Sequence, residues 1–225
     1  MKQNKESWNK IYDKGYSYMM YPDETLVILY HRIKNILPNH ITCLDYGFGS
    51  GNNSEFIIDK VNEFYGIEIS EIAKEITSKR LFSYENFDKN NLFINSNNYV
   101  EEFEEKFDLI LAWHVISYNT DESVKEVISH FHKYLKKGGI LITTLATRED
   151  ISYYYSKEIS KNTFQVDERI PSQKDCIVVI PENKEDFENY FEKFSILDIG
   201  FKQRTSFLKP EETSSHYFGV LRKDY

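Results

Sequence analysis

Residues 44–51 read Leu44-Asp45-Tyr46-Gly47-Phe48-Gly49-Ser50-Gly51 and continue the apolar run that starts at Ile41. A buried strand ending in three glycines at alternate positions makes a turn without Cβ atoms. There the backbone can approach a bulky ligand closely. Asn52-Asn53-Ser54 offers capping side chains for a helix that resumes at Glu55-Phe56-Ile57-Ile58. Strand, glycine turn and helix form the cradle that α/β proteins use for nucleotides. The dinucleotide fingerprint G-x-G-x-x-G needs glycine at position 52, where this chain has Asn52.

On either side of this stretch strands and helices alternate. Leu26, Leu29, Tyr30, Ile33 and Leu37 recur at helical spacing over residues 25–37, and Pro38 stops the pattern. Residues 53–60 read as the helix after the first strand, and residues 63–69 as a second strand. Ser70 caps a helix through Ile72, Ala73, Ile76 and Arg80. Residues 91–95 are a short third strand. Residues 107–112, Phe-Asp-Leu-Ile-Leu-Ala, are apolar enough for burial on both faces of a parallel sheet. From Thr120, one stripe carries Val124, Val127, Ile128, Phe131 and Leu135, and Lys136-Lys137-Gly138-Gly139 ends that helix. Residues 140–145 form the fifth strand. Residues 148–181 are polar and tyrosine-rich and read as an insertion. Residues 183–194 then make a helix, and residues 195–201 and 216–222 two final strands. This pitch predicts a doubly wound parallel sheet with its ligand at the carboxyl ends of the strands.

A chain of 225 residues fits a single domain. It divides into a helical lid or flank at 1–38, a core at 40–147, the insertion at 148–181, and a closing helix with two strands at 182–225. The formal charge is −8, from 28 basic and 36 acidic residues. Nucleic-acid binders carry a basic face, so nucleic acid is not the expected partner. Cys43 and Cys176 have no CxxC neighbours, which excludes a disulfide framework or zinc site. No apolar run approaches the about 18 residues a membrane helix needs, and residues 1–6 lack the apolar region of a signal peptide. A cytoplasmic protein is expected, without membrane partner or metal, as monomer or homodimer.

The stretch D-x-G-x-G-x-G over Asp45–Gly51 resembles motif I of the class I S-adenosylmethionine-dependent methyltransferases. Three further pieces follow in that family's order: Glu68 at the end of the second strand, Phe107-Asp108-Leu109-Ile110-Leu111-Ala112-Trp113-His114, and Leu135-Lys136-Lys137-Gly138-Gly139-Ile140. The resemblance implies a Rossmann-like methyltransferase fold: a mostly parallel seven-stranded sheet, helices on both faces, an antiparallel last strand and an insertion after the fifth strand. It also implies that Gly47, Gly49 and Gly51 pass under the methionine and ribose of S-adenosylmethionine. Asp45 orients the turn and the methionine amino group, Glu68 grips the ribose hydroxyls, and Ile69 packs on the adenine. Ala112 ends the fourth strand beside the cofactor. Where the family often reads the adenine with an acid, this chain has Asn95-Ser96-Asn97, a departure that passes the role to neutral acceptors.

Beyond the cofactor, His114 stands just past the fourth strand and is the candidate general base, because imidazole titrates near pH 6.5. Tyr118 and Asn119 follow on the same loop as acceptor-pocket candidates. The aromatic N-terminal segment reads as a lid or a flank, with Tyr12 and Tyr21 facing the site. Arg148, Tyr153, Tyr154 and Arg169 in the insertion are candidates to bind an anionic acceptor. His216 reads as a strand residue. The expected activity is methyl transfer to an oxygen or nitrogen of a small molecule, such as an anionic, sugar- or nucleotide-linked precursor of a surface glycan. The competing readings are an NAD(P)-dependent oxidoreductase and a noncatalytic S-adenosylmethionine-binding protein.

Overall fold

The computed structural model describes residues 2–94 and 99–224. Thr42–Tyr46 forms β1, buried at every position because it lies inside a parallel sheet covered on both faces. Glu63–Glu68 (β2) and Phe107–Ala112 (β4) pair with it in parallel, one on each side. Leu92–Ile94 (β3) lies outside β2, and Leu135–Ala146 (β5) outside β4. Beyond β5 come Lys209–Arg222 (β10), antiparallel to its neighbours, and Ser195–Ser206 (β9) at the edge. The sheet order is β3-β2-β1-β4-β5-β10-β9, so the predicted seven-stranded α/β fold with an antiparallel last strand is borne out.

The alternation of strand side chains builds two cores, one on each face. On one face Cys43, Leu109 and Ile142 pack under Leu29 of α2 (Glu24–Ile33), Ile57 of α3 (Asn52–Ile57) and Leu81 of α4 (Glu71–Leu81). On the other, Leu44, Ile110 and Leu141 meet Phe131 of α5 (Asp121–Tyr134) and Phe187 of α7 (Lys184–Tyr190). Successive residues on each strand thus belong to opposite cores, which pins the register.

Several expected boundaries move, each for a tertiary reason. Helix α5 stops at Tyr134 rather than running into Lys137, because Leu135 turns extended (ψ 137°) and pairs opposite Phe107. Gly138 and Lys223 tie this corner through a 2.7 Å backbone hydrogen bond. Helix α7 is shorter than the pattern suggests, and the two final strands are longer. They form one hairpin joined at Phe207-Leu208. The insertion is no surface loop: after the short α6 (Ile151–Tyr154), Ser156–Ser160 (β6), Thr163–Val166 (β7) and Ile177–Val179 (β8) make a small antiparallel sheet. Ala146, Phe164, Val166, Ile170, Val178 and Ile180 give it a core of its own. Lys2–Asp13 forms an N-terminal helix, α1, that lies against α4.

Candidate active site

The chain leaves β1 into the glycine turn with left-handed backbone at Gly47 (φ 73°) and Gly49 (φ 54°). A Cβ on Gly47 would stand 2.1 Å from Val115 Cγ2, so the turn packs directly on the loop after β4. A Cβ on Gly49 would stand 2.5 Å from the Tyr12 hydroxyl. Gly51 closes the turn as the residue before α3, its amide donating to the Phe48 carbonyl at 2.9 Å. The three residues after it do not cap that helix as expected. Ser54 donates to Asp45 at 2.6 Å, and Asn53 accepts from the Asp23 amide at 3.0 Å. Asn52 donates to the Tyr21 carbonyl at 3.1 Å. These side chains tie the turn to its surroundings instead.

Two buried carboxylates serve the turn. Glu68, at the end of β2, accepts from the amides of Gly49 (3.0 Å), Ile69 (2.8 Å) and Ser70 (3.1 Å). Burial pushes its pKa up, and the three amides offset part of that rise. Asp45 is pushed up to about 7 by burial and by the charge of Glu68, against the pull of the Ser54 hydroxyl. The sequence reading gives Glu68 a ligand role alone; the structure shows that it also organises the turn. We expect Glu68→Ala to weaken cofactor binding by about 2–3 kcal/mol, and also to lower stability by a similar amount as three amides lose their charged acceptor. Calorimetry with S-adenosylhomocysteine and a thermal melt check the two halves separately; unchanged affinity would remove Glu68 from the site.

Helix α1 crosses above the turn. Asn9 accepts from Ser70 Oγ at 2.7 Å, Lys5 pairs with Glu71 at 3.2 Å, and Trp8 meets Tyr118 edge-on at 4.9 Å. The same helix brings Tyr12 over Gly49. Burial raises its hydroxyl pKa, and Glu68 and Tyr118 add to the rise. Tyr21 is not brought in, since the residue is 78% exposed. The backbone around it is strapped down, with the Met19 amide on Ser50 Oγ at 3.0 Å and Arg80 on the Met19 and Ser50 carbonyls at 2.9 and 2.8 Å. Held that way, the ring projects outward. Ala112 is buried at the end of β4, its carbonyl accepting from Thr143 at 3.1 Å, and Ile69 is part-buried beside Glu68. Asn95, Ser96 and Asn97 lie outside the described residues.

His114 adopts a left-handed backbone (φ 54°), a conformation uncommon outside glycine and typical of strained positions at sites. Thr144 Oγ1 accepts from its amide at 2.8 Å and lies 3.3 Å from its Nδ1. Its Nε2 is 3.5 Å from Asp23 Oδ2 and 3.4 Å from Lys202 Nζ, and Asp23 and Lys202 are themselves in contact. The His216 ring stands 4.1 Å from that of His114, with Asp150 3.7 Å beyond it. Burial lowers the His114 pKa; Asp23 opposes this and Lys202 adds to it. Burial likewise lowers His216 well below the ordinary value, helped by His114 and Lys202. Burial would raise Asp23, but hydrogen bonds from His114 and Lys202 prevail and hold it ionised. The arrangement is a neutral imidazole backed by a carboxylate.

Sequence reasoning misses Asp23, Lys202, Thr144 and Asp150, and takes His216 for a plain strand residue. Asp23 carries a readable signal only as the cap of α2, where its side chain accepts from the Thr25 amide at 2.9 Å. Nothing in the sequence near Lys202 points to a site 88 residues away. Tyr118 is held by Trp8, and burial followed by the Asp150 charge raises its hydroxyl pKa. Asn119 donates to the Ile116 carbonyl at 3.2 Å, folding back on its own loop.

The insertion does not gather an anion-binding set. Arg169 is held by Asp167, two residues away, in a forked pair with Nε at 3.0 and 2.9 Å from the two carboxylate oxygens. A neighbour that satisfies the guanidinium this way leaves it at the surface. Tyr154 is exposed, and Tyr153 packs edge-on to Phe164 at 5.3 Å. Arg148 lies 5.6 Å over the Tyr153 ring and donates to Asn162 at 3.3 Å. Arg148 packs on Tyr153 and Tyr153 on Tyr154, their rings 6.1 Å apart, while Arg169 is held by Asp167.

The family follows from the chain itself. Residues 22–194 match the family described as methyltransferase domain, and the chain belongs to it as a class I S-adenosylmethionine-dependent methyltransferase. Its cofactor is S-adenosylmethionine. Solved structures agree on the fold. A SAM-dependent methyltransferase from Methanosarcina mazei superposes with TM-score 0.69 at 16% identity, covering 86% of this chain and 97% of that one. A SAM-dependent methyltransferase from Clostridium acetobutylicum gives 0.65 at 15% identity, covering 98% and 92%. The N-methyltransferase NodS from Bradyrhizobium japonicum, in complex with S-adenosyl-L-homocysteine, gives 0.63 at 15% identity, covering 89% and 85%. No curated protein matches by sequence. Among the described residues no helix is long and apolar enough to cross a membrane.

Proposed function

We propose that this methyltransferase methylates an oxygen or nitrogen of a small-molecule acceptor, with His114 taking the acceptor's proton. One observation carries the reading: beside the glycine turn, a neutral imidazole is backed by the ionised Asp23. S-adenosylmethionine, when bound, supplies a methyl group already activated on sulfonium. The chain's own task is to orient, exclude water and move a proton. The turn and Glu68 hold the cofactor, while α1, through Trp8 and Tyr12, acts as the lid. Asp23, 3.5 Å from Nε2, stabilises the imidazolium that results once the ring has taken the acceptor's proton.

A hydroxyl- or amine-bearing metabolite, including the sugar- and nucleotide-linked precursors of surface glycans, suits such a base. The tie between Arg169 and Asp167 counts against a dedicated anion clamp in the insertion. Formation of S-adenosylhomocysteine across a panel of sugar, nucleotide-sugar and amine acceptors tests the reading. Binding without turnover on every acceptor would favour a noncatalytic protein. The nicotinamide alternative has no support in the family assignment.

Asp45 adds a thermodynamic signature. Its carboxyl titrates near neutrality because it is buried beside Glu68. An ammonium group arriving on the cofactor's methionine favours the ionised form. Binding at pH 7 should therefore release on the order of half a proton. Calorimetry in buffers of different ionisation enthalpy reads this directly; identical heats in all buffers would show that Asp45 does not meet the amino group.

A further inference from the structure

The β9 strand ends the sheet with one side unpaired. The opposite edge, β3, has only three residues, whereas β9 has twelve. Long open edges invite pairing with another chain, and proteins usually blunt them. Here the regular ladder with β10 runs over residues 198–204, with irregularities on either side. The centre of that run is Phe201, 64% exposed. Exposed apolar residues also flank both ends: Ile196 and Leu197 at the start, and Phe207 and Leu208, all but fully exposed, just past the end.

We propose that β9 pairs with β9 of a second copy of this chain, antiparallel about a two-fold axis through Phe201. The strand is self-complementary in that register. Phe201 meets the partner's Phe201, an aromatic cross-strand pair. Asp198, already 2.8 Å from Arg32, faces the partner's Arg204, so an acid meets a base at both ends of the ladder. The hairpin tip Phe207-Leu208 reaches the partner's Ile196 and Leu197, and the reverse, so both apolar ends are covered by one operation. Neighbouring registers do worse. Centring on Lys202 sets like charges opposite each other, and centring on Gly200 separates the two Phe201 rings and sets Arg204 opposite Ile196, beyond the irregularity at the start of β9. A two-fold contact also closes, giving a dimer rather than a fibre. The two sheets become one of fourteen strands, seven from each copy.

Light scattering or sedimentation equilibrium on the full chain should show a dimer as concentration rises from about 1 to about 100 µM, as mass action requires. Phe201→Lys places two ammonium groups opposite each other and should raise the dimer Kd about tenfold or more, with an unchanged thermal melt at dilutions where both proteins are monomeric, because the residue is on the surface. Phe201→Cys, oxidised in air, should give a thiol-reversible covalent dimer, because directly opposed residues lie within disulfide reach. Ile199→Cys, opposite the partner's Gln203, should not link. A wild-type chain that stays monomeric across this range overturns the proposal, whatever else its hairpin tip binds. So does a dimer that survives Phe201→Lys and forms no link at position 201. Neither outcome touches the methyl-transfer reading.

Discussion

Gly49→Val is expected to abolish detectable binding of S-adenosylhomocysteine while the sheet remains folded. The position fails for valine in three ways. Its φ of 54° costs a β-branched residue on the order of 1–3 kcal/mol. A Cβ there would lie 2.5 Å from the Tyr12 hydroxyl, forcing that ring off the turn. The residue's amide donates to Glu68 and its carbonyl accepts from Thr77 at 2.8 Å, so any shift propagates to the Glu68 carboxylate and to α4. Strain of this size should lower Tm by only several degrees in a chain of this length, because β1 and β4 keep their pairing and cores. Gly138→Ala is the control. Its φ of 82° carries similar strain, but nothing lies within 4 Å and it is far from the turn. Isothermal calorimetry on both variants separates strain from site, and wild-type affinity in Gly49→Val would defeat the assignment of the turn.

His114→Ala is expected to lower kcat by roughly 10²–10⁴ with little change in cofactor affinity. His114→Asn repeats the test with a residue that tolerates left-handed backbone, so a shared loss cannot be ascribed to the turn's conformation. Burial depresses the histidine's pKa below 6.5, so the imidazole is neutral and able to accept a proton at pH 7. The wild-type rate should fall as pH drops through that depressed value and be flat above neutrality; the limb should vanish in both variants. Asp23 is the larger of the two carboxylates holding the pKa up, ahead of Asp150, so Asp23→Asn, which keeps a capping side chain for α2, should move the limb to still lower pH. Stability follows the same sign. Below pH 6.5 the unfolded chain takes up protons that folded His114 and His216 resist, so their contribution is lost as pH falls. Near-normal kcat in both His114 variants would mean that transfer needs positioning alone.

What could be read from the sequence was what neighbours along the chain decide. The glycine turn, the strand order, the family and the place of Glu68 follow from short motifs and from periods of two and 3.6 residues. Such signals depend on a few consecutive side chains, and they survive folding because the sheet is built from those same units. Helix ends were less legible: the stripe through Leu135 looks helical, but pairing with Phe107 pulls that residue into β5. The insertion's sheet was hidden because its apolar residues alternate weakly among polar and tyrosine-rich neighbours.

The surroundings of His114 were decided by tertiary structure alone. Asp23 comes from the chain before α2, Thr144 from β5, Lys202 from β9 and His216 from β10. They meet because β10 returns antiparallel beside β5, setting His216 opposite both Ala146 and Lys202 at the carboxyl end of the parallel strands. The same closure exposes β9 as an edge. No local pattern encodes that meeting, because burial, charge and pKa at His114 depend on which distant strands the sheet places beside it.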